Sequence, residues 1–135
     1  MAVKEGNALS IEVAESFKDA LWKVEKDRDI EAMIQVLSED CEVGNVAVPQ
    51  TFREHEGARE FWSAYRKTFD EMESTFRNVF ADNSGHAALE WQTEGTSEGD
   101  SVSYAGVSIL EMEGDKVRRF MAYFDSSALS RQVVN

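Results

Sequence analysis

The sequence predicts an α+β fold in which three N-terminal helices pack on a curved, mostly antiparallel sheet, as a cone-shaped α+β barrel would. Apolar and polar residues alternate in three consecutive segments at about 86–94, 102–112 and 116–125, which is typical of long strands joined by turns. Earlier in the chain, apolar residues recur every three or four positions, which is typical of amphipathic helices. Neither face of the middle strand is fully polar, so we expect helices on one face and a partner on the other.

Two helices are predicted before the first strand. Ser10 can cap the first helix, which would run to about residue 26 after a loose end at 1–9. Its apolar stripe consists of Ala14, Phe17, Leu21 and Val24. Glu25 lies mostly off this stripe. Asp29 can cap a second, short helix with an apolar stripe of Ile30, Met33, Ile34 and Leu37.

A short strand and a third helix follow. The strand is expected at 41–46, with Cys41, Val43 and Asn45 on one face. Pro49 ends it or lies at its edge, because proline cannot donate to a β-ladder. The third helix is expected at about 57–73, with a buried face of Ala58, Phe61, Trp62, Tyr65, Phe69 and Met72. A strand at 74–81 and a turn at 82–85 lead into the three C-terminal strands. The tail at 126–135 is expected to fray or to contact an edge of the sheet.

Length and composition limit the classes of protein. With 135 residues, the chain is expected to form one domain, 1–135, with its core at about 10–129. Its one cysteine, Cys41, cannot form an intramolecular disulfide. No apolar run approaches the ~20 residues of a membrane span and no signal-peptide pattern is present, so we expect a cytoplasmic protein. Acidic residues outnumber basic ones 26 to 14, so neither nucleic acid nor an anionic membrane is an expected partner.

No metal site and no cofactor are expected. The soft ligands His55, His86 and Cys41 lie far apart in the sequence and lack the paired spacing of a zinc site. The sequence also contains no phosphate-binding loop, dinucleotide fingerprint or nucleophile elbow.

An ordered set of short sequence strings points to a known family. They are Asp29-Ile30-Glu31-Ala32, Leu37-Ser38-Glu39-Asp40, His55-Glu56-Gly57-Ala58-Arg59-Glu60-Phe61-Trp62, Trp91 with Glu94-Gly95-Thr96, Gly106-Val107-Ser108, Gly114-Asp115-Lys116-Val117 and Tyr123-Phe124-Asp125. In this order and spacing, over about residues 14–129, they resemble the SnoaL-like branch of the nuclear transport factor 2-like superfamily. The resemblance implies a cone-shaped barrel with a deep, mostly apolar pocket, commonly a homodimer through the outer sheet face. It implies no single activity, because the superfamily includes polyketide cyclases, ketosteroid isomerase, dehydratases, epoxide hydrolases and non-catalytic binding or association domains, so function must be argued from the site.

The resemblance argues against ketosteroid isomerase chemistry. That reaction needs a carboxylate base, together with a tyrosine and a protonated carboxylic acid that hold the enolate oxygen. At the matching positions this chain has Asn45, Leu21 and Ser108. Glu42 is the nearest carboxylate to the base position, but the strand alternation puts it on the opposite face.

Three residues are candidates for catalysis of another acid–base type. The resemblance to SnoaL-type cyclases places Asp125 where those enzymes carry an acid at the end of the last strand, and a carboxylate at the mouth of an apolar pocket suits proton transfer. The alternative is that Asp125 caps the following segment. The imidazole of His55 can exchange protons near neutral pH, or it can simply fix the start of the third helix. Asn45, at the position that matches the carboxylate base of ketosteroid isomerase, is the third candidate.

A ligand-binding wall is predicted more directly than any catalyst. The resemblance directs Ser108 and Phe124 inward, and the period of two then places Tyr104, Gly106, Leu110, Phe120 and Ala122 on the same side. The predicted ligand-binding side chains are Phe17, Leu21, Trp62, Trp91, Tyr104, Ser108 and Phe124. Such a wall suits a small, mostly apolar molecule fixed by one or two hydrogen bonds. The alternative is that these aromatic side chains only fill the core.

Two functions follow as hypotheses. The first is a pocket domain that binds a small apolar molecule, with acid–base chemistry of cyclase or isomerase type. The second is a non-catalytic ligand carrier or a dimeric association module. In either case we expect a homodimer, because the outer face would carry an apolar patch of Val107, Ile109, Val117, Met121 and Tyr123.

Overall fold

The structure is a computed structural model that describes the backbone of residues 2–133 and the side chains of residues 9–129. The elements in chain order are α1 (Ala2–Asp27), α2 (Ile30–Ile34), β1 (Leu37–Asn45), β2 (Phe52–Arg53), α3 (Glu54–Lys67), β3 (Glu71–Ala81), β4 (His86–Ser97), β5 (Asp100–Glu113), β6 (Lys116–Phe124) and α4 (Ser126–Val133). The strands form one six-stranded sheet in the order β2-β1-β6-β5-β4-β3. Its neighbours are antiparallel except for the parallel pair β1–β6. Helices pack on this curved sheet, which confirms the predicted α+β fold class.

Helix α1 is longer than the sequence pattern predicts. It begins at Ala2, so Ser10 lies buried inside the helix and the prediction of an N-cap there is wrong. Each residue added to a nucleated helix gains a backbone hydrogen bond, and residues 2–9 contain no proline that would prevent it. The predicted apolar stripe of Ala14, Phe17, Leu21 and Val24 is buried. Neither α1 nor any other helix in the described part of the chain is long and apolar enough to cross a bilayer.

Two predicted helix ends are wrong. Helix α2 ends at Ile34, and Leu37 begins β1, where it pairs with Val117 of β6. Helix α3 ends before Phe69, and Met72 lies in β3. In both places the backbone of the segment turns toward a neighbouring strand, which helical spacing of apolar residues alone does not reveal.

The three C-terminal strands form the predicted antiparallel meander. The turn between β4 and β5 is tighter than expected, because only Glu98 and Gly99 lie between the two strands. Their φ angles of 53° and 88° are both positive, as a two-residue type I′ turn requires. This turn matches the right-handed twist of the strands, so the hairpin can extend to its full length.

One residue of the predicted outer face points inward. Pairing between β5 and β6 shifts by one residue between Glu111 and Met112. Val117, just across the hairpin, is fully buried in the main core, so its expected place in the outer apolar patch is wrong. A shift of one residue reverses the face on which each side chain lies, and the alternation gives no sign of it.

The C-terminal segment forms α4 and not a frayed tail. Oδ1 of Asp125 accepts a hydrogen bond from the backbone N–H of Ala128 at 3.1 Å, and the Asp125 carbonyl accepts one from Leu129 at 3.2 Å. Aspartate is a favourable N-cap because its side-chain oxygen satisfies an unpaired amide of the first turn. Leu129 then packs against a small buried cluster of Phe69, Met72 and Val102.

Candidate functional site

A cavity of about 280 Å³ lies between the sheet and the helices. The side chains predicted to bind a ligand all lie on its wall, and these are Phe17, Leu21, Trp62, Trp91, Tyr104, Ser108 and Phe124. Asn45 lies on the same wall. The structure therefore brings together the residues that the family resemblance, the strand alternation and the helical stripes together assigned to one interior.

Strand pairing arranges the sheet side of the cavity in three rows. The first row consists of Ser74, Thr93 and Tyr104. The second consists of Phe76, Trp91, Gly106 and Phe124. The third consists of Ser108, Ala122 and Asn45. An apolar row thus separates two rows that carry polar groups, and the two polar rows lie roughly 13 Å apart at the rise of a β-strand.

The middle row depends on a glycine. A Cβ atom at Gly106 would lie 2.8 Å from Cζ2 of Trp91 and would collide with the carbonyl oxygen of Tyr123. The missing side chain lets the indole of Trp91 lie against β5, where its Nε1–H donates to Oγ of Ser108 at 2.9 Å. The indole also meets the ring of Tyr104 edge-on, with centroids 5.3 Å apart. Trp91 is therefore held on both sides and forms a fixed part of the wall.

An aromatic cluster closes the cavity on the helix side. Phe17 of α1 stacks on Phe120 of β6 with ring centroids 5.3 Å apart, and Trp62 of α3 lies 4.9 Å from the same Phe120 ring. Nε1 of Trp62 is buried and has no hydrogen-bond partner among the described residues. These rings give the cavity surface on the helix side a mostly apolar character.

A buried carboxylate lies behind the first polar row. Glu25 of α1 is only 3% exposed. Its Oε2 accepts hydrogen bonds from the hydroxyls of Tyr65 and Ser74, each at 2.6 Å, and its Oε1 accepts one from the Ser74 backbone N–H at 2.7 Å. The Ser74 hydroxyl in turn lies 2.6 Å from the hydroxyl of Thr93. Tyr65, Ser74 and Thr93 all line the cavity, so this hydrogen-bonded group connects Glu25 to the cavity surface.

Glu25, Tyr65, Ser74 and Thr93 form the polar corner of the cavity, and the carboxylate of Glu25 gives this corner a negative charge. No ion pair to Glu25 is found among the described side chains. The nearby guanidinium of Arg66 donates to the backbone oxygen of Glu25 at 3.0 Å, not to its carboxylate. Burial, and next the charge of Glu25, raise the pKa of Tyr65 well above its usual value. Burial and the same charge also raise the pKa of Tyr104, which a hydrogen bond with Thr93 opposes, so both phenols are neutral near pH 7.

The predicted catalytic residues are not brought together. Asn45 lies on the cavity wall, and its Oδ1 accepts a hydrogen bond from the Ala47 backbone N–H at 2.9 Å. His55 is half-buried outside that wall, with Nε2 3.0 Å from the carbonyl oxygen of Leu37. Asp125 is exposed and caps α4, which is the alternative that the sequence left open.

A family model described as the SnoaL-like domain matches residues 16–120 of the chain. The chain belongs to the SnoaL-like family. This confirms the resemblance found in the sequence strings. The curated proteins compared with the chain include no significant match.

Solved structures show the same fold. TerC, co-crystallised with polyporic acid, is 20% identical, covers 94% of this SnoaL-like chain and 99% of its own, and has a TM-score of 0.80. A putative SnoaL-like polyketide cyclase from Jannaschia sp. CCS1 is 14% identical, covers 94% and 92%, and has a TM-score of 0.82. An LEH-like epoxide hydrolase from M. tuberculosis is 16% identical, covers 95% and 91%, and has a TM-score of 0.70. At these identities the likeness establishes the fold of the SnoaL-like domain and not its activity.

Sequence reasoning missed the polar corner of this SnoaL-like domain. Glu25 follows Leu21 by four residues and Phe17 by eight, so it continues the buried line of α1. That spacing was the available signal, and an acidic residue at the end of an apolar line usually suggests solvent. Ser74 and Thr93 gave no signal of their own, because their roles depend on the pairing of β3 with β4.

Proposed function

We propose that this SnoaL-like domain binds a small, mostly apolar ring compound in its cavity. The observation that carries the proposal is an aromatic-walled space of about 280 Å³ whose few polar groups lie in two rows of the sheet and at the C-terminal end of α3. An engineered apolar cavity of about 150 Å³ binds benzene, so the larger space here suits a molecule of about two or three fused or linked rings. A few fixed polar groups in an otherwise apolar wall are typical of small-molecule sites.

The structural neighbours support a small molecule as the ligand class. TerC was co-crystallised with polyporic acid. A protein from Catenulispora acidiphila with the ketosteroid isomerase-like fold, 14% identical with a TM-score of 0.75, was crystallised with trimethylamine. We therefore favour a pocket domain over a module that acts only through protein association.

The test uses N-phenyl-1-naphthylamine, a neutral probe in which a phenyl ring is linked to a naphthalene and whose fluorescence rises in apolar surroundings. We expect saturable binding to the wild-type protein. Ala122→Phe, which adds a ring to the cavity wall, is expected to weaken binding at least about tenfold. Leu21→Trp fills the same space from α1 and serves as a second variant if Ala122→Phe unfolds.

The matched control is Ala105→Phe. Ala105 lies on β5, is exposed and is not part of the cavity wall, so the same added ring is expected to leave probe affinity unchanged. Failure of the wild-type protein to bind the probe, or equal affinity in the wild-type and both filled variants, would contradict the proposal.

Catalysis of cyclase or isomerase type is a second candidate, favoured by the buried carboxylate of Glu25 next to the cavity. The test is exchange of the α-protons of 2-tetralone, a two-ring enolisable ketone, in deuterated buffer. An enzyme of this type accelerates the exchange, and the variants Glu25→Gln, Asn45→Ala, His55→Gln and Asp125→Asn then show which side chain carries it. A rate no greater than that of buffer alone leaves ligand binding without turnover as the function.

We also infer a homodimer formed through the outer face of β5 and β6. Val107 pairs with Tyr123, and Ile109 pairs with Met121, so these four side chains form one contiguous patch. Tyr123 is 44% exposed in the single chain. Contiguous apolar surface of this kind is typical of a subunit interface, and a second copy of the same face satisfies two-fold symmetry.

A further inference from the structure

The hydrogen bonds of the polar corner run in one direction. Glu25 is surrounded by donors, since two hydroxyls and one backbone N–H converge on its two oxygens. Three donors suit an ionised carboxylate, which can only accept. The hydroxyls of Tyr65 and Ser74 therefore each donate their single hydrogen to Glu25. Because a hydroxyl has one hydrogen to give, Thr93 must donate to Ser74 across their 2.6 Å contact.

This direction determines what the corner offers a ligand. The hydroxyl hydrogens of Tyr65 and Thr93 are already committed within the protein. Tyr104, the third hydroxyl of this end, shares a hydrogen bond with Thr93, and since Thr93 gives its hydrogen to Ser74, Tyr104 is the donor in that bond. What each hydroxyl can still present to the cavity is an oxygen lone pair, and both residues lie on the cavity wall. A group that brings only lone pairs, such as an ether or a carboxylate, would face lone pairs and the charge of Glu25.

The other polar row has the opposite character. Oγ of Ser108 accepts from Nε1 of Trp91 and keeps its own hydrogen to donate. Oδ1 of Asn45 accepts from the Ala47 backbone, which leaves the Asn45 amide N–H groups to donate. The two polar rows therefore present hydrogen-bond acceptors at the Glu25 end and donors at the Ser108 end, and the Nε1–H of Trp62, which has no partner among the described residues, is a further donor on the helix side.

We propose that the ligand is a ring compound that carries a hydrogen-bond donor, a hydroxyl or a protonated amine, and that Tyr65 and Thr93 receive this donor. The inference rests on the proposed function and names the ligand class of the same cavity. A buried acceptor that receives no donor loses its hydrogen bond to water without replacement, so the site discriminates against ligands that cannot donate. Anionic ligands are the least favoured, because Glu25 has no ion-pair partner among the described residues.

The experiment compares ligands built on one ring system, with dissociation constants from isothermal titration calorimetry. Naphthalene reports the apolar contribution, 2-naphthol and 2-naphthylmethylamine carry donors, 2-methoxynaphthalene carries an acceptor alone, and 2-naphthoate carries a negative charge. We expect wild-type protein to bind 2-naphthol about tenfold more tightly than 2-methoxynaphthalene, and to bind 2-naphthoate most weakly. The amine and the alcohol show which donor chemistry the corner prefers.

Two variants locate the preference. Thr93→Val keeps the shape of the side chain and removes its oxygen, and Tyr65→Phe does the same for the phenol. Each is expected to reduce the ratio of 2-methoxynaphthalene to 2-naphthol dissociation constants by about three- to fivefold. Thr75→Val, the same change at an exposed residue of β3 outside the cavity wall, is the matched control and should keep the wild-type ratio. Because the ratio cancels general losses of affinity, a variant that only loosens the fold does not imitate the result.

The outcomes separate the two proposals. If naphthalene and 2-naphthol bind but 2-methoxynaphthalene binds equally well or better, the donor inference is wrong and the proposed function stands. If the preference persists in both Thr93→Val and Tyr65→Phe, the donor is received elsewhere and the inference is likewise wrong. If no naphthalene compound binds, the proposed function fails and this inference fails with it.

Discussion

The two ends of the cavity differ in how many protein groups hold their polar atoms. At one end Glu25 receives three hydrogen bonds and connects α1, α3 and β3, whereas at the other end Ser108 receives one bond from a neighbouring strand. The first arrangement joins layers of the fold, and the second joins adjacent strands that the sheet already holds together. We conclude that the Glu25 end stabilises the fold as well as shaping the site, while the Ser108 end mainly positions Trp91.

The largest expected effect comes from removing the acceptor at the Glu25 end. Glu25→Ala leaves the Tyr65 hydroxyl and two Ser74 donors buried without a partner, and we expect the free energy of unfolding to fall by about 3–5 kcal/mol. The measurement is urea unfolding followed by circular dichroism. Glu15→Ala, which removes an exposed carboxylate from the same helix, should cost less than about 0.5 kcal/mol. Equal losses in the two variants would show that Glu25 is not a structural centre.

A smaller loss is expected in the row that separates the two ends. Gly106→Ala places a Cβ atom against Trp91 and the backbone of β6, and relieving that contact should cost about 1–3 kcal/mol and weaken probe binding. Unfolding and N-phenyl-1-naphthylamine titration measure the two effects. At Gly44 a Cβ atom would meet chiefly the side-chain methyl of Thr51, at 3.1 Å, so Gly44→Ala should be tolerated better. A larger stability loss for Gly44→Ala than for Gly106→Ala would contradict the close packing of Trp91 against Gly106.

The Ser108 end should tolerate truncation better than the Glu25 end. Ser108→Ala leaves Nε1 of Trp91 without its acceptor, and we expect a loss of about 1–2 kcal/mol in the free energy of unfolding. Urea unfolding provides the measurement, with Ser101→Ala at an exposed position of β5 as the comparison. A loss as large as that of Glu25→Ala would remove the distinction between the two ends.

The outer face of the sheet should affect assembly and not the cavity. Ile109→Glu places a charge in the patch shared by β5 and β6, and we expect sedimentation velocity to show monomers where the wild type shows dimers at micromolar concentration. Probe affinity per chain should change less than twofold, because Ile109 lies outside the cavity wall. A wild-type protein that sediments as a monomer would refute the dimer.

The smallest expected effect is at Asp125. Asparagine is also a good N-cap, so Asp125→Asn should change the free energy of unfolding by less than about 0.5 kcal/mol and leave probe affinity unchanged. Thermal unfolding and probe titration measure these effects. A marked loss of probe affinity would show that Asp125 belongs to the binding site, as the resemblance to SnoaL-type cyclases implies.

Strict periodicity allowed much of this fold and site to be predicted. The resemblance directed Ser108 and Phe124 inward, the period of two then placed Tyr104 on the same side, and the helical stripe placed Phe17 and Leu21 toward the core. All five side chains line the cavity. Periodicity did not predict features that depend on tertiary contacts. The inward turn of Val117 follows from a register shift, and the role of Glu25 follows from hydroxyls on α3 and β3 that only the folded chain brings near it.

The most direct test of the cavity as a ligand site uses the three tryptophans of the chain. Trp62 and Trp91 lie on the cavity wall, whereas Trp22 is 52% exposed and lies outside it. In nitrogen-15-labelled protein titrated with 2-naphthol, we expect the indole N–H signals of Trp62 and Trp91 to shift and that of Trp22 to stay in place. A titration that moves the Trp22 signal alone, or moves none of the three, would contradict the account.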